Sequence, residues 1–294
     1  MTFDNFINQA WDDHVTDSKG VAARLEKCIA LLTDNNQIPT LVNLATHVYG
    51  EHLGQWKEGV KFLNGLRSAS IFQAETESNN AINRSVAALE LAGGLNPKLQ
   101  NFGNSDLVRI FANAAAALCG QNQIAMAIEY FKNGLEIITQ GELTKEDPAN
   151  RALAVTGNNL AATLEEKNSL SEDENRLMIL AALTGRKFWE IAGTWLNVAR
   201  AEYRLARTYL KTKQFQLALV HAQLCLEVNE TNKAEPLELF LGYEVLALVE
   251  NERGNLIGFS KAREQVKKYF EKITNENDKS WCQSSFDKLL KMTI

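Results

Sequence analysis

The sequence predicts an all-α protein, and three observations lead to that prediction. The chain has 294 residues, of which 45% are hydrophobic and 23% are charged, as in an ordinary soluble globular protein. Only 4 Pro and 17 Gly leave too few turns for a protein of many strands. Apolar residues recur at helical spacing along the whole chain, and no useful length of strand-like alternation interrupts them.

This spacing predicts a succession of helices. They cover residues 3–15, 18–33, 37–53, 55–68, 77–93, 105–119, 122–140, 147–166, 171–192, 194–211, 214–229, 235–252, 256–273 and 277–292. Helices of this length joined by short turns are typical of antiparallel helix hairpins.

Turn and cap residues separate these helices in chain order. The first run is Asp-Asn-Asn at 34–36, and the longest loop candidate is 93–105, where we expect a soft joint. The runs 146–148 and 229–236 each end in a proline, which begins a helix well.

No export signal and no membrane span are expected. The opening MTFDNFINQAWDD carries acid where a secretory signal has basic residues, and it lacks an apolar core of the required length. The uncharged run 110–128 has the length of a span, but Gly-Gln-Asn-Gln at 120–123 puts a turn in its middle. We therefore expect a cytoplasmic protein.

Charge and cysteine content exclude further classes. With 31 Lys+Arg against 36 Asp+Glu the net charge is -5, which argues against a surface devoted to nucleic acid. The four cysteines lie far apart, with neither a CxxC motif nor a Cys/His pair at metal-ligand spacing. We expect buried, reduced thiols and no cofactor.

Partial copies of one motif occur between about residues 40 and 272. The pattern Leu205-Ala206-x2-Tyr209, followed by Phe215-x2-Ala218, resembles the signature of the tetratricopeptide repeat (TPR). The other copies are Leu53-Gly54-Gln55-Trp56 with Gly59-x3-Leu63, Ala127-x3-Phe131, and Leu241-Gly242-x2-Val245 with Ala262-x3-Val266. Small residues allow two helices to approach closely, and the large apolar residues fill the gaps beside them.

The resemblance to TPR proteins implies a right-handed superhelical solenoid of antiparallel helix hairpins in one domain, residues 1–294. Within it, residues 1–36 would form an N-terminal capping hairpin, 37–272 the repeats, and 275–294 a C-terminal capping helix. The repeats are irregular, because Glu202 stands where the family usually has Trp. Ala218 and Ala262 are also 44 residues apart (262 minus 218), beyond the usual unit of about 34.

A basic stripe stands out locally in this acidic chain. Between residues 186 and 213 there are seven basic residues and two acidic ones. Four of the basic residues, Arg200, Arg204, Arg207 and Lys211, follow the spacing i, i+4, i+7, i+11, which places them within an arc of about 60° on a helix. We call these four residues the basic stripe. The helix is expected to pack by its other face and to present these cations.

In TPR proteins the first helices of the hairpins line a groove that binds extended peptides. The resemblance implies that Arg200, Arg204 and Arg207 lie on the groove wall. Preceding first helices would contribute Asn158 or Asn159 and Asn113, and Lys211 is expected to bind the peptide with them. Guanidinium groups pair well with carboxylates, and amides hold a peptide backbone in register. We therefore expect a non-enzymatic scaffold or adaptor that binds an acidic segment or C-terminal carboxylate of another protein, and neither nucleic acid nor a membrane.

Other functions stay open as alternatives. One is a regulatory TPR protein that senses a peptide or metabolite, and another is a solenoid subunit of an enzyme. A solvated cationic face without a ligand would also explain the stripe.

No nucleophile elbow, phosphate loop or dinucleotide motif is present. His47 and His52 are five residues apart, about 140° around an α-helix, so a shared metal ion is not expected. Three carboxylates after Ser171 indicate a capped helix start rather than a cation site.

Overall fold

Helices make up the regular secondary structure, as predicted. The computed structural model describes residues 1–141 and 143–292, and these contain no strand. The α-helices are α1 (Phe3–Asp13), α2 (Ser18–Cys28), α3 (Ile38–His47), α4 (Trp56–Gly65), α5 (Glu77–Ala92), α6 (Asn104–Gly120), α7 (Ile124–Thr139), α8 (Pro148–Glu165), α9 (Glu172–Ala192), α10 (Trp195–Lys211), α11 (Phe215–Thr231), α12 (Pro236–Glu252), α13 (Leu256–Lys272) and α14 (Glu276–Lys291). Short 3-10 turns are Ile29–Leu31, Asn35–Gln37, Leu66–Ser68 and Leu99–Asn101, and Val48–His52 is a π-helical turn.

The predicted caps set helix ends locally. At α9, Ser171 Oγ accepts from the Glu174 backbone N–H at 3.2 Å, and Glu174 Oε2 accepts from the Ser171 N–H at 2.7 Å. This reciprocal capping box satisfies two donors that a helix start would otherwise leave unpaired. Pro148 and Pro236 begin α8 and α12, where a missing N–H costs nothing.

The chain forms two compact units, Met1–Ala152 and Leu153–Ile294. The segment where a joint was expected, 93–105, lies inside the first unit between α5 and α6 and contains a 3-10 turn. The predicted single domain, with its caps and repeats, stays a prediction.

In the first unit, α1 to α5 surround a core of fully buried aliphatic side chains, among them Leu25, Leu41 and Leu63. The α6/α7 hairpin packs next to it. Ala127 and Phe131, which carry one of the partial motifs, are both 0% exposed. The motif residues therefore serve packing, as predicted.

The second unit contains the hairpins α10/α11 and α12/α13, whose helices pack in succession. The motif residues Leu205, Ala206 and Ala218 are buried between them. α8 and α9 cross closely at Gly157 and Gly185, where a Cβ on Gly157 would lie 2.7 Å from the Gly185 nitrogen. Glycine is needed at this crossing because the two backbones approach each other directly.

The same type of turn recurs along the chain, and in three of its copies it connects the two helices of one hairpin. A residue of left-handed φ occupies its centre, and an amide residue and a large apolar residue follow. The four copies are Gly54-Gln55-Trp56, Asn122-Gln123-Ile124, Lys213-Gln214-Phe215 and Gly254-Asn255-Leu256. In the last three, the amide residue's N–H bonds to the carbonyl five residues earlier at 2.8–2.9 Å, which satisfies the end of the preceding helix.

The burial of the cysteines agrees with the sequence prediction. All four cysteines are buried, and none of them is joined in a disulfide. Across the residues described, no helix has both the length and the apolar character needed to cross a membrane.

Candidate functional site: the charged face of helix α10

Helix α10 carries the basic stripe and is amphipathic, as its sequence predicts. Asn197 Oδ1 accepts from the Thr194 N–H at 2.9 Å and fixes the start of the helix. Leu205, Ala206 and Tyr209 are buried on one side. The cations lie on another side, where they meet α8 and α12.

The cations at the centre of the stripe pair with carboxylates of neighbouring helices and are only partly exposed. Arg204 pairs with Glu165 at the end of α8, and Arg207 Nε donates to the same carboxylate at 2.7 Å. Arg207 Nη1 also donates to Glu244 of α12 at 3.1 Å. The expectation that α10 presents these two cations is therefore corrected, because acidic residues of two other helices cover them. Their contact with a peptide stays a prediction.

Glu244 is the most deeply buried acid of this group, with a side chain 4% exposed. Burial raises the pKa of Glu244, and the charge of Arg207 and the Tyr203 hydroxyl, which donates at 3.2 Å, oppose that rise without cancelling it. Burial likewise raises the pKa of Tyr203, so this hydroxyl stays protonated and acts as a donor.

A cavity of about 360 Å³ opens at the C-terminal end of α10, and we call it the lower cavity. Its cationic lining residues are Arg207, Lys211, Lys213 and Lys288, and its acidic ones are Glu165 and Glu252. The apolar lining residues are Leu210, Phe215, Leu248 and Met292. Lys211 Nζ donates to the Lys167 carbonyl oxygen, which holds the ammonium group at the cavity. The lower cavity thus combines an apolar surface with four cations against two carboxylates.

Arg200 lies at the other end of the stripe. Its Nε donates to Glu238 Oε1 at 3.1 Å, and its side chain is 55% exposed. It lines a separate cavity of about 620 Å³, together with Trp195 and Asp278. Arg200 therefore lines one cavity, Arg207 and Lys211 line another, and Arg204 is among the lining residues of neither.

The predicted amides do not line the lower cavity. Asn158 and Asn159 lie on α8, where Asn158 Nδ2 donates to Asn159 Oδ1 at 3.4 Å. Asn113 lies on α6 in the first unit and is half-buried. Of the seven predicted site residues, the lower cavity brings together Arg207 and Lys211.

Glu202, which departs from the TPR pattern, is buried and paired. Its carboxylate accepts from His221 Nδ1 at 2.6 Å and pairs with Arg186. Burial alone would raise the pKa of Glu202, but these two hydrogen bonds hold it below its usual value. The buried carboxylate is compensated because α9 and α11 supply both of its partners.

Sequence reasoning missed a cluster of three histidines in the first unit. His47 Nε2 and His52 Nε2 lie 3.0 Å apart, and one nitrogen from each of His14, His47 and His52 lies within 4.8 Å of the others. The expectation that His47 and His52 point to different faces is wrong, because Val48–His52 is π-helical. Its i→i+5 hydrogen bonds bring residues five apart onto one side.

A scan of the chain against models of known protein families finds no match. A search of curated proteins also finds no related sequence.

Proposed function

We propose that this protein is an irregular TPR-like solenoid and a non-enzymatic cytoplasmic scaffold. In this proposal the lower cavity binds an acidic or C-terminal segment of a partner protein. The recurring hairpin turn and the buried motif residues of α6/α7, α10/α11 and α12/α13 support the TPR-like repeat.

The charge balance of the lower cavity is the observation that carries the binding proposal. Four cations and two carboxylates line it, and one of these carboxylates, Glu165, is already paired with Arg204 and Arg207. A net positive, partly apolar cavity suits a carboxylate next to an apolar side chain. Exposed lysines would steer an acidic peptide toward the cavity and fix its orientation.

The position of the lower cavity fits peptide binding by repeat helices. Its lining residues Glu165, Lys211 and Glu252 are the last residues of α8, α10 and α12, respectively. In a TPR-like arrangement these are the first helices of three successive hairpins, and such helices line a groove for extended peptides. Arg204 and Arg207 then act mainly by neutralising Glu165 and Glu244, and the lysines meet the ligand.

The test is binding of defined fluorescent peptides, measured by anisotropy. An array of acidic peptides with free C-terminal carboxylates is compared with the same peptides amidated at that end. We expect selected free-acid peptides to bind, and Lys213→Glu/Lys288→Glu to weaken them by about tenfold or more and to flatten the salt dependence. Charge reversal at Arg207 is avoided because it would unpair buried carboxylates.

The matched control is Lys267→Glu/Lys268→Glu, which makes the same charge change on exposed positions of α13 outside the lower cavity. Circular dichroism confirms that all variants are equally helical. Absence of peptide binding, or equal affinity in both double variants, would contradict the proposal. The cations would then serve only to offset the negative ends of α8, α10 and α12.

A further inference from the structure

The histidine cluster, His14, His47 and His52, is assembled from two parts of the first unit. His14 caps the end of α1, His47 is the last residue of α3, and His52 ends the π-helical turn. The ring centroids of His47 and His52 are 4.7 Å apart, and the His14 ring lies 5.0 Å and 5.1 Å from them. All three residues are half-buried, so the ring nitrogens meet at a place that small ions can reach.

Hydrogen bonds on the outer side of two rings fix their orientation. His14 Nδ1 donates to the Trp11 carbonyl oxygen, which can only accept. His47 Nδ1 lies 2.8 Å from Glu51 Oε1 and donates to that carboxylate. In the neutral form both rings therefore carry their proton on Nδ1 and a lone pair on Nε2. Histidines that bind metals are oriented in this way by a carbonyl or carboxylate behind them.

The third ring completes the arrangement. His52 Nε2 lies 3.0 Å from His47 Nε2, which has no proton to donate, so His52 supplies the hydrogen of this contact. With the His52 proton on Nδ1 instead, Nε2 of both His47 and His52 would offer a lone pair to a metal ion.

The π-helical turn is held in place by side chains from the start of α4 and from the residue that follows α6. The Leu53 N–H closes it by bonding to the Val48 carbonyl at 3.1 Å. Trp56 Nε1 donates to the Gly50 carbonyl at 3.2 Å, and Gln121 Nε2 donates to the Glu51 carbonyl at 2.7 Å. These donors satisfy carbonyls that the widened turn exposes. π-helical turns are rare and frequently lie at functional sites.

We propose that His14, His47 and His52 form a binding site for a first-row divalent transition-metal ion of the zinc class. Imidazole nitrogen is a preferred ligand of these ions. Zn–N bonds of about 2.0–2.1 Å in tetrahedral geometry place ligand nitrogens about 3.4 Å apart, which small ring rotations reach from the observed spacing. Three protein ligands leave the fourth position for water or an exogenous ligand, and Glu51 orients His47 from behind.

The test uses the full chain without a histidine tag, stripped of metal by a chelator. Zn²⁺ is titrated by calorimetry and in competition with a chromophoric chelator. We expect one Zn²⁺ per chain with a Kd of about 1 μM or lower. His47→Gln and His52→Gln should each weaken binding by about 100-fold or more, and Glu51→Gln by about 10- to 100-fold.

The fourth histidine provides the matched control. His221 lies in the second unit, paired with Glu202, and His221→Gln should leave Zn²⁺ affinity unchanged. A measurement on the wild type avoids dependence on variant folding: Zn²⁺ should shift the NMR signals of three histidine rings and leave the fourth in place. Failure of the wild type to bind Zn²⁺, Co²⁺ or Ni²⁺, or equal shifts of all four rings, would overturn the proposal. This outcome is independent of peptide binding in the second unit.

Discussion

Arg207 and Glu244 join α10 to α12 through a buried ion pair, with Arg207 Nη1 3.1 Å from Glu244 Oε1. The same guanidinium donates to Glu165 of α8 at 2.7 Å. One side chain therefore compensates two carboxylates that are 4% and 11% exposed. The charge of Arg207 therefore links α8, α10 and α12.

Replacing Arg207 by Met should destabilise the protein strongly. The substitution keeps an apolar stem but leaves Glu244 without its ionic partner and Glu165 with Arg204 alone. We expect a loss of about 3–5 kcal/mol in the free energy of unfolding, measured with urea. Arg176→Met is the comparison, since Arg176 forms only exposed pairs and its loss should cost less than about 1 kcal/mol. Equal effects of the two variants would argue against the buried network.

Because of Glu174, the free energy of unfolding should depend on pH in the acidic range. The hydrogen bond from Lys167, and to a smaller extent that from the Ser171 N–H, lowers the pKa of Glu174 to about 2. The pKa of a Glu side chain in the unfolded chain is about 4.3. A lowered folded-state pKa contributes stability above the unfolded pKa, and this is lost as pH falls from about 4.3 to about 2. Glu174→Gln should therefore cost about 1 kcal/mol at pH 7 and progressively less below pH of about 4.

Glu172→Gln is the control for this pH profile. Glu172 lies in the same helical turn, but its side chain is 80% exposed and pairs with Arg176 at the surface. Thermal unfolding of both variants and the wild type between neutral and acidic pH separates the two positions. A Glu174 deficit that stays constant down to pH of about 2 would contradict the lowered pKa.

Gly157→Ala should disrupt the crossing of α8 and α9. A Cβ at this position would lie 2.5 Å from the Ala181 carbonyl oxygen and 2.7 Å from the Gly185 nitrogen. Both are backbone atoms, which cannot shift without disturbing the packing of their helix. We expect a loss of about 2 kcal/mol or more. In Gly65→Ala a Cβ meets nothing within 4 Å on a helical backbone, so this variant should be neutral or gain about 0.4–1 kcal/mol. Chemical denaturation of both variants tests the difference in sign.

Gln121→Met should destabilise the π-helical turn. It removes the donor to the Glu51 carbonyl and leaves that oxygen without this hydrogen bond, at an expected cost of about 1–3 kcal/mol. Gln123→Met, at an exposed position two residues later, should change stability by less than about 0.5 kcal/mol. Amide hydrogen exchange provides a local measurement, because opening of the turn should accelerate exchange at Leu53, whose N–H closes it.

Local signals in the sequence predicted the helices and their caps. The capping box joins Ser171 and Glu174, which are three positions apart, and the apolar face of α10 repeats within each turn. Local sequence spacing does not predict the ion-pair partners of the basic stripe, because these partners lie far away in the chain. Glu238 is 38 residues from Arg200, and Glu165 is 42 residues from Arg207. Helical spacing specifies a face but not what packs against it.

The histidine cluster was missed for a different reason. The angle of about 140° between His47 and His52 holds for an α-helix, whereas the π-helical turn brings the two rings to one side. His14 comes from α1, and sequence spacing gives no indication that it approaches the other two rings. A pair of histidines five residues apart near a glycine, here Gly50, is the signal that could have prompted a search for a π-helical turn.

The turn shared by Gly54, Asn122, Lys213 and Gly254 bears on how such a chain can change in length during evolution. Each copy contains both the stop signal of one helix and the first apolar residue of the next. Duplication or deletion of a whole hairpin carries its own connector and preserves the ends of adjacent helices. An insertion inside a helix would instead rotate every later apolar residue away from its neighbours. Duplication or deletion of one whole hairpin would therefore disturb the packing of this chain less than an insertion within a helix.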